Sequence, residues 1–471
     1  MSKIRVRFAP SPTGHLHIGG ARAAIFNWLF ARSKGENAVF VVRIEDTDLE
    51  RSTQEYVDSI IESIEWLGLN SDEPLVYQSS RVDEYKKVAY ELVEKGLAYP
   101  CFCQPKDSDE KIKNLEKGIS SKYDGTCRDK KFSASDLEKP HAIRFKLPTD
   151  KKEISFDDKI RGKITFELDQ FDDFVIFRRD GMPTYNFCVV IDDLFMNITH
   201  VIRGEDHISN TPKQILIYQA IGKEIPIFAH VPLILGPSGN KLSKRDAAVS
   251  VIEYKKNGFL SDALFNYLVR LGWAHGDQEV FSKEEMIKFF TLEKVGKKGA
   301  IFDTKKLLWL NGIYIRNLNL KSFEKAASGV NNDKLKELTS VWNADSLGSI
   351  FELYKERATT VVELLDNMIE FASEPKDLEI DLIKKWLDEK TKVLLQEFLE
   401  RSEKVEEYDH KHLMELAKNI CNEREEKLVA LAQPLRLALT GKISSPGVFG
   451  LIEILGGDRT RKRVEALMEK L

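Results

Sequence analysis

Long apolar runs are missing from this chain. Nowhere do about 18 apolar residues follow one another, the least a membrane-spanning helix needs, and MSKIRVRF at the start does not read as a secretory signal. A soluble protein of the cytoplasm, away from membranes, is expected. Cysteine is scarce, with 5 in 471 residues, which argues against a disulfide framework. Charge of one sign is missing too: 71 Lys and Arg stand against 75 Asp and Glu, for a net charge of −4. That balance argues neither for nor against nucleic acid, because a basic face can sit on an otherwise acidic molecule. Glycine vanishes between Gly348 and Gly441, and only Pro375 and Pro434 interrupt that span. A stretch so poor in breakers, in which Leu387, Leu394, Phe398 and Leu399 keep an apolar face among charges, reads as a helical domain or a pair of them. No internal repeat or low-complexity tract occurs.

What is present is organised. The length exceeds what one core can serve, so three or more domains are expected. IRVRFA (4–9) alternates as a half-buried strand does, and ARAAIFNWLFARS (21–33) carries apolar residues at helical spacing. AVFVVRIED (38–46) is a second strand, and STQEYVDSIIESIEWLGL (52–69) an amphipathic helix with Ser52 and Glu55 as its capping box. Strand and helix in alternation predict an α/β fold with a Rossmann-type parallel sheet, whose ligands sit at the carboxyl ends of the strands. Arg7 to Ser11 and Arg43 to Asp48 fall at such ends. The pattern breaks near Cys101 and returns with GMPTYNFCVVIDDL (181–194) and HVIRGEDHISNTP (200–212), so the segment between reads as an insertion. The expected division is 1–100 and 185–240 as the two halves of the catalytic domain, with 101–184 inserted. After these come 241–325 around the basic loop GPSGNKLSKRDAA, then helical domains over 326–375 and 376–471.

Between the first strand and helix lies RFAPSPTGHLHIGGAR (7–22). It is no P-loop, because Gly20 and Ala21 stand where Lys and Ser/Thr are required, nor is it G-x-G-x-x-G. A sharp turn into a helix nevertheless exposes the first N–H groups to a phosphate, and His17 at the helix entrance can donate to phosphate oxygens. KLSKR (241–245) can supply mobile ammonium groups, and Gly236 and Gly239 allow its loop to close. Cys101-x-Cys103, followed by Cys127, offers closely spaced thiolates for zinc, with an oxygen or nitrogen completing a tetrahedron. Cys188 and Cys421 are isolated and read as core residues.

PSPTGHLHIGGAR with KLSKR resembles the "HIGH" and "KMSKS" pair of class I aminoacyl-tRNA synthetases. FAPSPTG, VRIEDTD, PTYNFCVV, VIRGEDH, KLSKR and AQPLRLALTG follow the order of bacterial glutamyl-tRNA synthetases and span nearly the whole chain. The resemblance implies a two-step ligation. Glutamate attacks the α-phosphorus of ATP carried with Mg2+, and a terminal ribose hydroxyl of tRNA-Glu then takes the glutamyl group. His17, Lys241 and Lys244 match the catalytic positions, with Gly20 where the second His of the motif would be. Gly19, Gly20, Asp206, His207 and Ser243 join them around the nucleotide. Arg7, Ser11, Glu45, Tyr185 and Arg203 match the glutamate site, the arginines as carboxylate forks and Glu45 for the α-ammonium. Arg357 and Arg436 match anticodon-reading positions, and KKLLWLNGIYIR (305–316) resembles the segment under the inner tRNA stem. Some relatives hold Zn2+ in a Cys-x-Cys…Cys-x-His site, for which this chain offers Cys101, Cys103, Cys127 and Asp129, with Tyr123 and His141 nearby. A monomer is expected. Two alternatives stay open: a form that also charges tRNA-Gln, favoured less because of Arg357, and a tRNA-binding descendant without activity, for which eroded motifs would speak. A glutaminyl enzyme would carry a strand-rich anticodon region, and the shortened paralogue that glutamylates a modified tRNA base lacks the helical half.

Overall fold

The computed structural model describes residues 3–48, 50–104, 122–240, 242, 250–375 and 380–470. They form two compact units, Met1–Ile252 with Phe265–Asp303 and Glu253–Leu264 with Thr304–Leu471.

The first unit is built on a seven-stranded sheet. Strand β1 (Ile4–Phe8) leads through the Pro- and Gly-rich turn to helix α1 (Ile18–Ser33), then to β2 (Ala38–Ile44), α2 (Gln54–Trp66), β3 (Val76–Tyr77) and α3 (Val82–Glu94). After β4 (Ala98–Cys101) and β5 (Ala142–Phe145) come β6 (Glu153–Asp158), β7 (Gly162–Glu167) and β8 (Val175–Phe177). The helix Tyr185–Phe195 precedes β9 (His200–Gly204), and the helix Thr211–Ile221 precedes β10 (Ile227–Val231). The sheet order is β3-β2-β1-β9-β10-β6-β7. All its pairings are parallel except that of β6 with β7. From β1 the chain builds outward in one direction to β2 and later in the other to β9, so the topological switch point lies between β1 and β9. The expected α/β fold is what the chain adopts.

Burial explains β2: all seven residues of AVFVVRI are buried, as a central strand covered on both faces requires. The alternation of β1 suggested one wet face, yet Val6, Arg7 and Phe8 are all buried. Asn27 Nδ2 of α1 donates to Ile202 O at 2.9 Å, which ties that helix to β9. Helix α2 begins one residue later than its capping box implied. Thr53 is the cap, its Oγ1 accepting from Tyr56 N at 3.3 Å. The segment between Cys101 and Tyr185 divides between two sheets. Strands β4, β5 and β8 form an antiparallel sheet of their own, whereas β6 and β7 extend the main one.

The second unit is helical in its described residues, from Thr304–Arg316 through Ala344–Lys355, Val361–Ala372 and Glu389–Ser402 to Val429–Thr440 and Val448–Met468. Its core gathers Phe323, Phe351, Leu364, Leu394, Phe398, Leu399 and Leu435. The apolar face read from Leu387 to Leu399 is buried there, as is Cys421.

Candidate active site

His17 is the N-cap of α1. Its Nδ1 accepts from Gly20 N at 3.2 Å, so the neutral ring carries its proton on Nε2 and is a donor at the helix N-terminus. A Cβ on Gly19 would come within 3.0 Å of the His17 ring, which accounts for glycine there. Val251 N donates to Leu16 O at 2.9 Å, and His17 forms a β-bridge with Ser250. The residues just after KLSKR are thereby stitched to the turn before α1. A turn at Gly236–Asn240 leads into the loop, with Gly239 at φ 79°. Lys241, Ser243 and Lys244 lie outside the described residues.

At the carboxyl ends of β1, β2 and β9 charge is buried in quantity. Arg7 Nε meets Asp193 Oδ1 at 3.1 Å, and Arg43 Nη1 meets the same oxygen at 2.6 Å. Arg43 Nη2 reaches Glu45 Oε1 at 3.1 Å. Asp192, the neighbour of Asp193, is held by Gln78, Arg81 and Tyr85 at 2.7 to 2.8 Å. Burial alone would raise the Asp193 carboxyl, but Arg7 and Arg43 outweigh it and hold the group below its ordinary range. For Glu45 burial wins over the same two arginines, and its carboxyl is raised. Ser11 Oγ donates to Glu45 O at 3.1 Å and Glu45 N to Pro10 O at 2.9 Å, joining the ends of β1 and β2. The acidic run after β2 splits: Asp46 accepts from Ser79 N at 2.8 Å, whereas Asp48 is part of a surface pair with Arg51.

Arg203, at the end of β9, is buried in a different way. Nε donates to His230 Nε2 at 3.1 Å and Nη2 to Thr211 Oγ1 at 2.9 Å. Nη1, also buried, has no hydrogen-bond partner among the described residues. Tyr185 opens the neighbouring helix, with its hydroxyl 3.1 Å from His207 Nδ1. Burial, then the nearby Arg203 charge, pulls His207 down to about 4, and burial with Glu45 pushes Tyr185 up to about 12. Both are neutral near pH 7. Gly204 leaves room for Asp206, whose Oδ1 a Cβ there would strike.

In the smaller sheet, Cys101, Cys103 and Cys127 place their sulfurs within 4.8 Å of one another. Asp129 does not join them: its exposed carboxylate pairs with Lys146 at 3.0 Å. The phenol oxygen of Tyr123 does, lying 3.6 Å from Cys101 Sγ and 3.9 Å from Cys103 Sγ. Arg144 stacks on the Tyr123 ring at 3.8 Å and donates to Cys101 Sγ at 3.3 Å. His141 is engaged instead by Tyr90 and the Lys139 carbonyl.

In the helical unit Arg357 and Arg436 converge on one residue. Arg357 Nη1 donates to Ser445 O, and Arg436 Nε to Ser445 Oγ at 3.0 Å. Partial burial and the charge of Arg357 lower Arg436. A cavity of about 280 Å³ opens beside them, lined among others by Tyr354, Arg357, Glu370, Lys442 and Ser445.

Residues 3–309 match the catalytic domain of class I tRNA synthetases for E and Q, and residues 323–468 an anticodon-binding domain. A glutamate–tRNA ligase of Thermodesulfovibrio yellowstonii is 46% identical over 99% of both chains. The chain belongs to the glutamate–tRNA ligases. Another member, from Francisella tularensis, is 42% identical over 99% of both chains. The crystal structure of a glutamate–tRNA ligase of Elizabethkingia meningosepticum, in complex with its amino acid, superposes with a TM-score of 0.88 at 33% identity over 99% of both chains. For a glutamate–tRNA ligase the fold is the expected one, and no described helix is long and apolar enough to cross a membrane. Sequence reasoning missed Asp192, Asp193, Asp158 and His230. The pair DD in VVIDDLF was in view, but nothing local in it indicates that its partners lie 107 to 186 residues away.

Proposed function

We propose that the chain couples glutamate to tRNA-Glu in two steps, at the crevice where β1, β2 and β9 end. The observation that carries this is the guanidinium of Arg203: buried, with no hydrogen bond to a carboxylate among the described residues, and with Nη1 unpartnered. Such a group calls for an anion, and glutamate brings two. Arg203 and Arg7 take its carboxylates, Glu45 its ammonium, and Ser11 and Tyr185 add directional hydrogen bonds. Glutamine, with a neutral amide, would leave a buried guanidinium without its anion, at a cost of about 1–3 kcal/mol.

An oxygen of the α-carboxylate attacks the α-phosphorus of ATP, and the bond to the leaving pyrophosphate breaks. A ribose hydroxyl of the tRNA then attacks the carbonyl carbon of the adenylate and AMP departs. No protein nucleophile is needed, so the work is positioning and charge stabilisation. His17 Nε2–H and the first turn of α1, with Gly19 and Gly20, meet the phosphates on one side. By the motif they match, Lys241, Ser243 and Lys244 supply ammonium and hydroxyl groups to the same phosphates, and Asp206 and His207 border the nucleotide with its Mg2+. Arg357 and Arg436 read the anticodon; Arg357 matches the family position whose arginine disfavours the tRNA-Gln anticodon, which favours the discriminating form. Cys101, Cys103, Cys127 and Tyr123 are a donor set that fits Zn2+, which would hold the smaller sheet together rather than take part in the chemistry. The test is Arg203→Lys, which keeps the charge and loses the fork. The KM for glutamate is expected to rise about 30-fold, the equivalent of about 2 kcal/mol for a charge-assisted bond, with KM for ATP unchanged. Equal effects on both would remove Arg203 from the amino-acid site.

A further inference from the structure

Strand β6 was read from the sequence as part of an insertion, yet it brings Asp158 to within one strand of the candidate glutamate site. The order β9-β10-β6 sets Arg203, His230 and Asp158 side by side, with Arg203 directly paired in register with His230. All three are buried, His230 completely. Asp158 Oδ1 accepts from Ile160 N at 2.9 Å and Arg161 N at 2.8 Å; Oδ2 accepts from His230 N at 3.0 Å and His230 Nδ1 at 2.6 Å. The three backbone N–H groups all need an acceptor and leave both carboxyl oxygens engaged, so Asp158 is read as a carboxylate and the Nδ1 contact as N–H to oxygen. With its proton fixed on Nδ1, His230 turns an acceptor, Nε2, toward Arg203 Nε at 3.1 Å. Thr211 Oγ1, 3.2 Å from the same nitrogen, completes the support by accepting from Arg203 Nη2 at 2.9 Å.

We propose that Asp158 and His230 are positioning residues for glutamate recognition: they lock the imidazole tautomer that fixes Arg203 with Nη1 turned to the substrate carboxylate. This rests on the reading of Arg203 as a carboxylate receptor. The charge states agree with the geometry. Burial would raise Asp158, but its bonds to His230 and to the turn at Arg161 hold it below its ordinary value. Burial keeps His230 below the usual imidazole value, with the Asp158 hydrogen bond opposing and the Arg203 charge assisting.

Asp158→Asn makes the discriminating variant. An amide has one donor end, which must oppose either the N–H groups of Ile160 and Arg161 or His230 Nδ1. In the second arrangement His230 shifts its proton to Nε2, where it faces the Arg203 N–H. His230→Phe removes the acceptor among aromatic neighbours, Phe156 and Phe228, which can pack against it. His230→Gln keeps an acceptor oxygen near the position of Nε2. In steady-state charging with glutamate and ATP varied separately, Asp158→Asn and His230→Phe are expected to raise the glutamate KM about 10-fold, the scale of one lost hydrogen bond to a charged group. The ATP KM stays put, and His230→Gln lies nearer the parent. A glutamate KM that moves no more than the ATP KM, in variants that melt as the parent does, overturns the proposal. If Arg203→Lys spares the glutamate KM, the receptor reading falls and this inference with it. If Arg203→Lys raises it while Asp158→Asn does not, only the positioning role falls. The unmutated protein gives a check that needs no variant to fold. In 15N spectra of histidine-labelled protein, with the His230→Gln spectrum identifying the signal, His230 is expected as the neutral Nδ1–H tautomer. The Nε2–H tautomer would refute the lock.

Discussion

Asp193 lies between two guanidiniums, 3.1 Å from Arg7 and 2.6 Å from Arg43, and all three side chains are almost wholly buried. Taking charges out of water is costly, so the value of such a group shows when one member is removed. Asp193→Asn would leave Arg7 and Arg43 with less negative charge than they are built around. A loss of about 3–5 kcal/mol is expected, read as a lower urea midpoint for the first unit's transition; an unchanged midpoint would mean that the cluster tolerates excess positive charge. Arg7, Glu45 and Arg203 could be singled out in the sequence because they stand at strand ends inside motifs. Their supports could not, because Asp193 and His230 take their meaning from strand neighbours that the sequence does not bring together. Around the cysteines the sequence offered Asp129, with Tyr123 and His141 nearby, and could not choose between them. The resemblance pointed to Asp129, but that side chain turns outward to Lys146, while the Tyr123 phenol lies by the sulfurs of Cys101 and Cys103.

Among the elements, the first strand, turn and helix were the most legible, because an extended run, a Pro- and Gly-rich turn and a helical spacing follow one another in plain order, although the alternation of β1 misjudged its burial. His17 at the start of α1 both closes the cap and sets its own tautomer. The strand pair β6–β7 was the least legible. Its pattern of exposed and buried residues is that of an ordinary hairpin, and only the parallel pairing of Phe228 with Asp158 assigns it to the main sheet. At one end of the smaller sheet three cysteine sulfurs lie within 4.8 Å of one another, a cluster from which zinc binding is expected. Protein purified without chelator should carry about one equivalent of zinc. Cys127→Ser should lose it and lower the melting temperature, whereas a zinc-free native protein would show three reduced thiols in a site without metal.

At the scale of the whole molecule, the absence of glycine from 349 to 440 proved the best guide to architecture. It marks helices that run with few breaks, and the second unit is built from them. The histidines give the molecule a pH response. Burial, with Lys159 and Lys34 nearby, pulls His200 down to about 4, and His207 stands at a similar value. In the unfolded chain both would take up protons below about 6.5, and in the folded one only near 4. Their contribution to stability is therefore complete above pH 6.5 and is lost as pH falls from there toward 4. The melting temperature should drop between pH 7 and 5, and His200→Gln should flatten that drop; an identical slope in the variant would assign the response elsewhere.

The measurement that bears most directly on the central claim is charging of purified tRNA-Glu and tRNA-Gln, side by side, with labelled glutamate, ATP and Mg2+. The account predicts label on tRNA-Glu and none on tRNA-Gln, with charging of tRNA-Glu abolished when ATP is left out. Label on both would keep the ligase and contradict the discriminating role given to Arg357. Label on neither, from folded protein, would contradict the reading of the β1, β2 and β9 crevice as the place where glutamate is activated.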